Sequence, residues 1–431
     1  MSALGPLLPQ LRTGVPGPAS RALVDVLARH ECPAITARRA RRASALGQAD
    51  DDPFVWEEAA GANVQDADGN VFVDLTAGFG VALLGHRDPR VVAAVHAQAD
   101  RLLHAMGDAW PDARRIALLA RLAGLAPPGL TQAILGLSGA DAIDALVKTA
   151  LLASGRPGVV VFEGAYHGLA LGVLGLQAYK PAFTDPFRAI VHPAVRVLPW
   201  GADGATVRDA LADGQVGLVL VEPIQGRGGM RPAPAGWLAM LTAEAHAAGA
   251  LLGVDEIQCG LGRAGSTWAV THDEVVPDLL ATGKALGGGL PLSACLGSRE
   301  VMAAWGASAG EALHTQTFLG HPLGCAAALA VLDAVEADDL PARCTAVGAR
   351  LAAGLGQRGL AVRGRGLMLG VRLDVPAFPV ARALLRRGFV VLPAGAGEAE
   401  VLGLTPPACL TDAQQDAFLG ALDEALAEVR A

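Results

Sequence analysis

The chain has 431 residues, of which 52% are hydrophobic and 18% are charged, and its formal net charge is -8. A chain of this length has room for about two or three domains, and the apolar fraction excludes a disordered or low-complexity protein. The negative net charge disfavours a general nucleic-acid-binding surface.

The rarer residue types narrow the possibilities further. Only Lys148, Lys180 and Lys284 are lysines, so a lysine in an unusual setting is informative. The six cysteines lie far apart without metal-ligand spacing, which favours a reduced protein that holds no metal. The N-terminal residues do not resemble a signal peptide, and glycine and proline interrupt the longest uncharged stretch, 122–140. We therefore expect a cytoplasmic protein that does not enter a membrane.

Residues 1–62 are expected to form an N-terminal arm that contributes to a small domain. Prolines punctuate this segment, and its charge runs nearly cancel. The residues in those runs are Arg38, Arg39, Arg41, Arg42, Asp50, Asp51 and Asp52. A solvated arm or short helix explains them, and a targeting or nucleic-acid role is the alternative.

From residue 63 the pattern becomes regular and predicts a large α/β domain over 63–325. A hairpin turns at Asp68-Gly69, and a helix begins at Asp88-Pro89. Apolar strands then alternate with helices. The predicted strands are 131–137, 158–162, 217–221, 250–254, 278–282 and 293–297, and the predicted helices are 140–154, 235–248 and 323–337. Strands without polar alternation indicate a buried, mainly parallel sheet flanked by helices.

The last hundred residues differ in character and predict a smaller α+β C-terminal domain over 326–431. The predicted elements are a helix near 341–357, one strand over 360–373, a helix at 378–387, short strands and a final helix from Thr411.

Two carboxylates and a lysine stand at the ends of predicted strands. Glu222 follows GLVLV, and Asp255 follows ALLGV. Ligands bind at the carboxyl ends of strands in such sheets, and a buried carboxylate there needs a partner. A helix cap or a structural ion pair is the alternative for either acid alone. Lys284 follows another strand within a glycine-rich loop, where a desolvated lysine can act as a nucleophile, although an exposed loop lysine remains the alternative.

Two further segments could contact a cofactor. Ser138, Gly139 and Ala140 lie between a strand and a helix, where free N–H groups suit a phosphate, although ordinary cap chemistry is the alternative. Tyr166 and His167 follow another strand. An aromatic ring there could stack on a flat cofactor or simply pack in the core.

The order of these segments is more specific than any one of them. From about residue 20 onward the sequence resembles the class III pyridoxal-phosphate-dependent aminotransferases, which have the aspartate aminotransferase fold (fold type I). The matching stretches include SGADAIDALVKTA, FEGAYHG, VEPIQGRGG, VDEIQCGLGRAG, ATGKALGGGLP and TQTFLGHPLGC. The resemblance implies pyridoxal 5′-phosphate (PLP) as cofactor, bound by the large domain.

The resemblance also implies roles for the motif residues. Lys284 would hold PLP as an internal Schiff base and move a proton, while Asp255 would keep the pyridine nitrogen protonated. Tyr166 would stack on the ring beside His167, and Gln258 would bind the phenolic oxygen with Glu222 behind it. The phosphate would contact Ser138, Gly139, Ala140 and, from the neighbouring subunit, Thr317. That last role implies a homodimer with two sites at its interface.

Two positions depart from the family pattern. Many members have a glutamate where this chain has Arg227, and a substrate-binding arginine where it has Gly403. We expect Arg227 itself to bind a substrate carboxylate; the alternative is that it points outward and pairs with a surface acid. We expect Gly403 to leave space for a bulkier or uncharged group.

These expectations combine into a PLP-dependent aminotransferase that moves an amino group from an amine or amino acid to a keto acid or aldehyde. One alternative is an aminomutase or amino-acid epimerase of the same family. An alternative of another class is a non-catalytic ligand-binding module that keeps the fold. A nicotinamide oxidoreductase is disfavoured, because no strand-to-helix turn carries GxGxxG followed by an acid.

Overall fold

The computed structural model describes residues 4–32, 53–307, 310–395 and 401–431. The arginines and aspartates predicted to form a solvated arm lie outside these ranges; they are Arg38, Arg39, Arg41, Arg42, Asp50, Asp51 and Asp52. The strands are β1 (Trp56–Ala60), β2 (Asn63–Asp66), β3 (Val71–Asp74), β4 (Gln132–Gly136), β5 (Gly158–Phe162), β6 (Val195–Leu198), β7 (Val216–Val221), β8 (Ile224–Gln225), β9 (Arg231–Pro232), β10 (Leu251–Asp255), β11 (Leu279–Thr282), β12 (Ser293–Gly297), β13 (Ala361–Arg365), β14 (Met368–Arg372), β15 (Phe389–Val390), β16 (Leu392–Ala394) and β17 (Val401–Leu404).

Helices separate most of these strands. They are α1 (Pro18–His30), α2 (Ala77–Gly80), α3 (Pro89–Ala99), α4 (Ala113–Leu125), α5 (Gly139–Ser154), α6 (Leu171–Leu174), α7 (Gly204–Leu211), α8 (Trp237–Ala247), α9 (Arg299–Met302), α10 (Pro322–Ala337), α11 (Leu340–Gly356), α12 (Ala377–Leu385) and α13 (Asp412–Arg430). Short 3-10 turns occupy Pro181–Phe183, Asp185–Phe187, Ala269–Asp273, Lys284–Gly287 and Ala303–Trp305. None of the helices within the described ranges combines the length and apolar character needed to cross a membrane.

The central sheet has seven strands in the order β4-β12-β11-β10-β7-β5-β6. Strand β10 is parallel to β7 and β11, and β5 is parallel to β6 and β7, whereas β12 is antiparallel to β11 and β4. Both faces are covered by helices. Leu218 and Leu220 of β7 pack in one cluster with Leu146 of α5, while Val219 packs in another with Leu241 of α8. The predicted mainly parallel sheet flanked by helices is confirmed.

Local sequence explains several of the helix boundaries. The Ser138 side chain caps α5 by accepting the Asp141 N–H at 3.2 Å, and α5 ends at Gly155 in the left-handed region (φ +68°). Asp88 caps α3 by accepting the Arg90 N–H at 2.9 Å. Thr411 begins α13 with a capping box.

The C-terminal sheet shows that one predicted element was wrong. Residues 360–373 were expected to form a single strand, but they form the antiparallel hairpin β13–β14 within a sheet ordered β13-β14-β17-β16. The turn contains Gly366, whose φ of +54° is incompatible with a continuous strand. A Cβ at Gly366 would clash with the Arg263 carbonyl oxygen, so the turn lies directly against the segment that follows β10.

A third sheet joins the two ends of the described chain, in the order β1-β2-β3-β15. The predicted hairpin turn is present in β2–β3, with Gly69 at φ +78°. Strand β15 pairs in parallel with β3, and Val73 shares a core cluster with Phe418 of α13. The division into 1–62, 63–325 and 326–431 stays a prediction.

Candidate active site

The adjacent parallel strands β7, β10 and β11 bring the predicted acids and lysine to one edge of the central sheet. Glu222 directly follows β7, Asp255 is the last residue of β10, and Lys284 lies two residues beyond β11. Because these neighbours run parallel, their carboxyl ends meet at the same edge. Three residues that are distant in sequence therefore line one cavity.

Lys284 begins a 3-10 turn in a conformation that non-glycine residues seldom adopt (φ +44°). Its Nζ donates a hydrogen bond to Oε1 of Gln258 at 3.0 Å. The surrounding protein removes bulk water, and this burial lowers the pKa of Lys284 to about 8. A lysine poised in this way reaches its neutral, nucleophilic form more readily than an exposed one.

Asp255 is held by a buried histidine and by the backbone. Its Oδ2 lies 2.8 Å from Nδ1 of His167, and its Oδ1 accepts the Ile257 N–H at 3.0 Å. Burial would lower the pKa of His167, but the hydrogen bond and the charge of Asp255 outweigh it and raise this pKa. Nε2 of His167 is buried without a hydrogen-bond partner. His167 and the Ile257 N–H thus fix the orientation of the Asp255 carboxyl group, which lines the cavity.

Glu222 links two loops beneath the same cavity. Its carboxylate accepts the N–H groups of Tyr166 and Gly226, both at 3.1 Å. Burial raises the pKa of Glu222 to about 7. A Cβ at Gly226 would overlap Oε1 of Gln258, so the absence of a side chain there makes room for Gln258. Glu222 therefore fixes the backbone at Tyr166 and Gly226, and its role behind Gln258 stays a prediction.

The N-terminus of α5 closes the opposite end of the cavity. Gly139 and Ala140 are its first residues, and N–H groups at that position have no acceptor within the helix. A Cβ at Gly139 would lie 2.9 Å from Cδ1 of Ile257, and one at Gly168 would lie 2.7 Å from Cβ of Ala140. These glycines allow two loops to approach the helix closely and form an anion-binding cradle.

These pieces enclose a cavity of about 190 Å³. It is lined by Gly139, Ala140, Tyr166, His167, Gly168, Glu222, Arg227, Asp255, Ile257, Gln258 and Lys284. Nine of these eleven are site residues predicted from the sequence; Gly168 and Ile257 were missed, although both lie inside the motifs FEGAYHG and VDEIQ. Ser138 lies just outside as the helix cap.

A second cavity of about 330 Å³ shares Tyr166, Arg227, Gln258 and Lys284 with the first. Its other lining residues are Thr76, Phe79, Leu169, Phe183, Gly226, Met230, Leu392, Pro393, Ala394, Gly403 and Thr405. Most of this wall is apolar, and it comes from segments spread over the whole chain. Apart from the four shared residues and Gly403, sequence analysis missed these residues. Gly226 lies inside the motif VEPIQGRGG, whereas the others come from segments that share no spacing pattern.

Arg227 lies at the junction of the two cavities. Its Cζ is 5.3 Å from the ring centre of Tyr166 and 5.2 Å from that of Tyr179. Its Nε is buried without a hydrogen-bond partner, and no acid in the described part of the chain forms an ion pair with it. Arg227 lines both cavities of the described structure, and its role as the carboxylate-binding residue stays a prediction.

Gly403 lines the second cavity, and the expectation that it leaves space for a bulkier or uncharged group stays a prediction. A Cβ at Gly403 would lie 3.0 Å from Cε of Met230 and 3.1 Å from Cβ of Ala394. Met230 itself is held at φ +54°, a strained value for a non-glycine residue. A side chain at position 403 would therefore have to displace one of these two apolar groups.

Thr317 is exposed and belongs to neither cavity of its own subunit. Its segment is nevertheless fixed to α5: Nε2 of His314 lies 3.3 Å from Oδ1 of Asp141, and the Gln316 amide donates to Oδ2 of Asp141. The structure thus separates Thr317 from the other site residues predicted from the sequence.

The first cavity fits PLP. Free N–H groups at a helix N-terminus suit its phosphate, and a carboxylate backed by a buried histidine suits its pyridine nitrogen. The lysine lies in the same cavity, within hydrogen-bond distance of an amide side chain. The Gly139 and Gly168 positions, where a Cβ would clash, leave the cradle free of side chains.

Comparison with known proteins agrees with this geometry. The family model of class III aminotransferases matches residues 46–426. The acetylornithine aminotransferase of Mycolicibacterium smegmatis is 39% identical over 87% of this chain and 94% of its own length. That of Methanopyrus kandleri is 37% identical over 74% of this chain and 81% of its own.

Solved structures show the same fold. The ornithine aminotransferase of Toxoplasma gondii superposes with a TM-score of 0.84 at 27% identity, covering 96% of this chain and 97% of its own. A PLP-bound amine transaminase from an uncultivated Pseudomonas species gives a TM-score of 0.81 at 28% identity, covering 88% and 96%. With a family match over most of its length, the chain belongs to the class III aminotransferases, PLP-dependent transaminases of fold type I.

Proposed function

We propose that the first cavity holds PLP and that the second receives an amine or amino acid donor and then a keto acid or aldehyde acceptor. The two cavities meet at Lys284, which places the reactive amine within reach of both ligands. Bound PLP supplies the electron sink that stabilises negative charge on the substrate carbon.

The residues around the first cavity have distinct tasks in this proposal. Lys284 attaches the cofactor through Nζ and, once released, carries the proton that leaves the substrate carbon; its lowered pKa suits both tasks. Asp255, backed by His167, holds a proton on the pyridine nitrogen. Gln258 donates from its amide to the phenolic oxygen while its Oε1 accepts from Lys284.

The remaining residues bind and orient the cofactor. Tyr166 covers one face of the ring, and Glu222 fixes the Tyr166 backbone. The N–H groups of Gly139 and Ala140, in the helix start capped by Ser138, bind the phosphate. His167, Glu222 and Asp255 are buried, so charge-assisted hydrogen bonds that involve them are stronger than they would be at the surface.

The substrate class follows from one observation: Arg227 presents a guanidinium, without a carboxylate partner among the described residues, where the two cavities meet. A substrate carboxylate would complete that site by a charge-assisted, bidentate pair. The rest of the substrate cavity is mainly apolar, with walls that include Phe183 and Met230. We therefore propose substrates with one carboxylate near the reacting carbon and an apolar remainder.

We also propose a homodimer in which Thr317 of one subunit binds the phosphate held by its partner. Thr317 is exposed, and its segment is anchored beside the phosphate end of its own site through Asp141. The thiols of five cysteines in the described structure are free, which fits a reducing compartment such as the cytoplasm; they are Cys259, Cys295, Cys325, Cys344 and Cys409.

The test replaces Arg227 by Met and by Lys and compares two acceptors of similar shape, a short aliphatic keto acid and the aldehyde that lacks its carboxylate. We expect Arg227→Met to lower kcat/KM for the keto acid about ten- to a hundredfold, since a charge-assisted pair contributes about 1.5–3 kcal/mol. Activity towards the aldehyde should change little. Arg227→Lys should give an intermediate loss, because lysine keeps the charge but not the bidentate geometry.

Arg231→Met is the matched control, because Arg231 begins β9 four residues after Arg227, but its guanidinium donates to the Glu163 carbonyl and lines neither cavity. It should affect both acceptors alike. Equal, small losses for the keto acid and the aldehyde in Arg227→Met would refute the carboxylate site, while leaving PLP chemistry at Lys284 untouched.

A further inference from the structure

A cluster of three aromatic side chains surrounds one side of Arg227, and the proposed catalytic roles use only one of them. The ring centres of Tyr166, Tyr179 and Phe183 lie 6.2–6.3 Å from one another. Tyr166 meets the other two edge-on, whereas Tyr179 and Phe183 are nearly parallel, with an interplanar angle of 30°. Such contacts fix ring orientation as well as burying apolar surface.

The guanidinium of Arg227 lies against both tyrosines, which are the only two in the chain. Its Cζ is almost equally distant from the two ring centres, at 5.3 Å from Tyr166 and 5.2 Å from Tyr179. Both distances are within the range of cation–π attraction. Tyr179 is buried, with 7% of its surface exposed, so this attraction is screened by little water.

Backbone pairing sets the spacing between the two rings. The Gly164 N–H donates to the carbonyl of Ala178 at 2.9 Å, and the Ala178 N–H donates to the carbonyl of Ala165 at 3.1 Å. Each bond lies one or two residues from a tyrosine. The loop that carries the cofactor-facing Tyr166 and the segment that carries Tyr179 are therefore joined, and the rings keep a fixed separation.

Aromatic faces hold a guanidinium in a way that a carboxylate cannot. An aspartate or glutamate beside Arg227 would fix it by hydrogen bonds, but it would neutralise the charge and use the same N–H donors that a substrate needs. Ring faces attract the cation without accepting those N–H groups as strong hydrogen bonds. The arginine is thus oriented in advance, which lowers the entropy cost of binding a ligand.

We propose that Tyr179 is a positioning residue for Arg227: together with Tyr166 it holds the guanidinium ready for a substrate carboxylate and thereby sets the preference for carboxylate-bearing substrates. This inference rests on the proposed carboxylate site and assigns the residue that orients it. Tyr179 lines neither cavity, so it acts through Arg227 and not by touching the substrate.

Equilibrium binding to the PLP-loaded enzyme tests this directly. Calorimetry would compare butanoate with butanamide, which has nearly the same shape but no charge. Tyr179→Leu removes the ring and should raise the Kd of butanoate about 2- to 30-fold, the range expected for a cation–π contact, with little change for butanamide. Tyr179→Phe keeps the ring face and should retain the butanoate affinity within about twofold.

Two controls separate this role from simpler ones. Phe183→Leu removes the ring that stacks on Tyr179. In the described structure Phe183 itself has no cation–π contact with Arg227, so this variant should change the Kd of butanoate and of butanamide equally. Lys180 has its Nζ 4.9 Å from the Tyr179 ring centre, so it could be the cation that the ring orients. If Lys180→Met reproduces the selective loss of Tyr179→Leu, the assignment to Arg227 is wrong.

The remaining outcomes distinguish this inference from the site on which it rests. If Arg227→Met loses butanoate selectively but Tyr179→Leu does not, the carboxylate site stands and the positioning role falls. If neither variant discriminates butanoate from butanamide, the carboxylate site itself is refuted. A Tyr179→Phe variant as impaired as Tyr179→Leu would also overturn the proposal, because a hydroxyl contact would then explain the effect.

Discussion

The two cavities of this enzyme were built in different ways. The PLP cavity collects residues from the ends of adjacent parallel strands and from one helix start. Its main side chains have partners in the neighbouring motifs, as Lys284 has in Gln258 and Asp255 has in His167. The substrate cavity combines the α2 turn with loops and strands from both ends of the chain. Its walls are mostly apolar. The two charged residues that it shares with the PLP cavity are Lys284 and Arg227.

This difference shows which part of an active site local sequence can specify. A parallel sheet places the carboxyl ends of its strands at one edge. An acid or a lysine directly after a strand therefore reaches the cavity whatever the rest of the sequence is. A substrate wall made of Phe79, Met230 and Gly403 depends on contacts between segments hundreds of residues apart. Variation in those contacts alters the substrate and leaves the cofactor chemistry intact.

The largest effect should come from Lys284, which belongs to both cavities. Lys284→Ala should lower kcat by about a hundred- to ten-thousandfold or more, because it removes both the attachment point and the proton carrier. Borohydride reduction followed by peptide mass mapping should find PLP on the Lys284 peptide in the unmodified chain.

Lys148→Ala serves as the control, since Lys148 pairs with Asp144 at 2.6 Å and lines neither cavity. It should keep near-normal turnover and the same modified peptide. If Lys284→Ala has the same steady-state turnover as the unmodified chain, Lys284 neither attaches PLP nor carries the proton, and the assignment of the two cavities is wrong.

The same contrast explains how much the sequence could predict. The strands 158–162 and 293–297 were located to the residue, because short runs of apolar and small residues without charges, next to glycine, indicate a buried strand. The 361–372 hairpin was missed, because RGRG resembles a polar strand face until Gly366 is seen in the left-handed region. Tyr179 was missed for a different reason: its partner Arg227 lies in another loop, and no spacing rule connects them.

A second prediction contrasts two adjacent acids at the end of β10. Asp255 faces His167 and the cavity, whereas Glu256 faces inward, where it accepts the Val270 N–H at 2.7 Å and the Cys259 thiol at 3.1 Å. No cation compensates Glu256 among the groups that contact it in the described structure, and burial raises the pKa of Glu256 from 4.5 to about 7.

The sign of the resulting pH dependence follows from linkage. Between about pH 4.5 and 7 the folded state binds a proton at Glu256 that the unfolded chain has released. The free energy of unfolding should therefore fall as the pH rises through this window. Glu256→Gln should reduce that fall by about 3 kcal/mol, since one pKa unit corresponds to about 1.4 kcal/mol.

Urea unfolding of the holoenzyme at both ends of the window would measure the effect. Glu222 shifts in the same direction, so part of the fall should remain in Glu256→Gln. Glu57→Gln, at an exposed position of β1, should leave the fall unchanged. A fall of equal size in Glu256→Gln and the unmodified chain would show that Glu256 stays charged in the folded state.

The smallest effect should come from Thr317, which lines neither cavity of its own subunit. Thr317→Ala should weaken PLP affinity by about 1.5–3 kcal/mol through the loss of one charge-assisted hydrogen bond, with Thr317→Ser close to normal and Thr315→Ala as control from the same segment. In mixed dimers that carry Thr317→Ala in one subunit and Lys284→Ala in the other, the only intact Lys284 lies in the subunit that has lost Thr317, and its partner retains Thr317. If Thr317 acts across the interface, the lysine-bearing subunit receives its hydroxyl from a Lys284→Ala partner and keeps full PLP affinity, although its own Thr317 is absent. Weakened binding in that subunit would show that Thr317 acts within its own chain, and a fully active monomer at high dilution would contradict the shared site altogether.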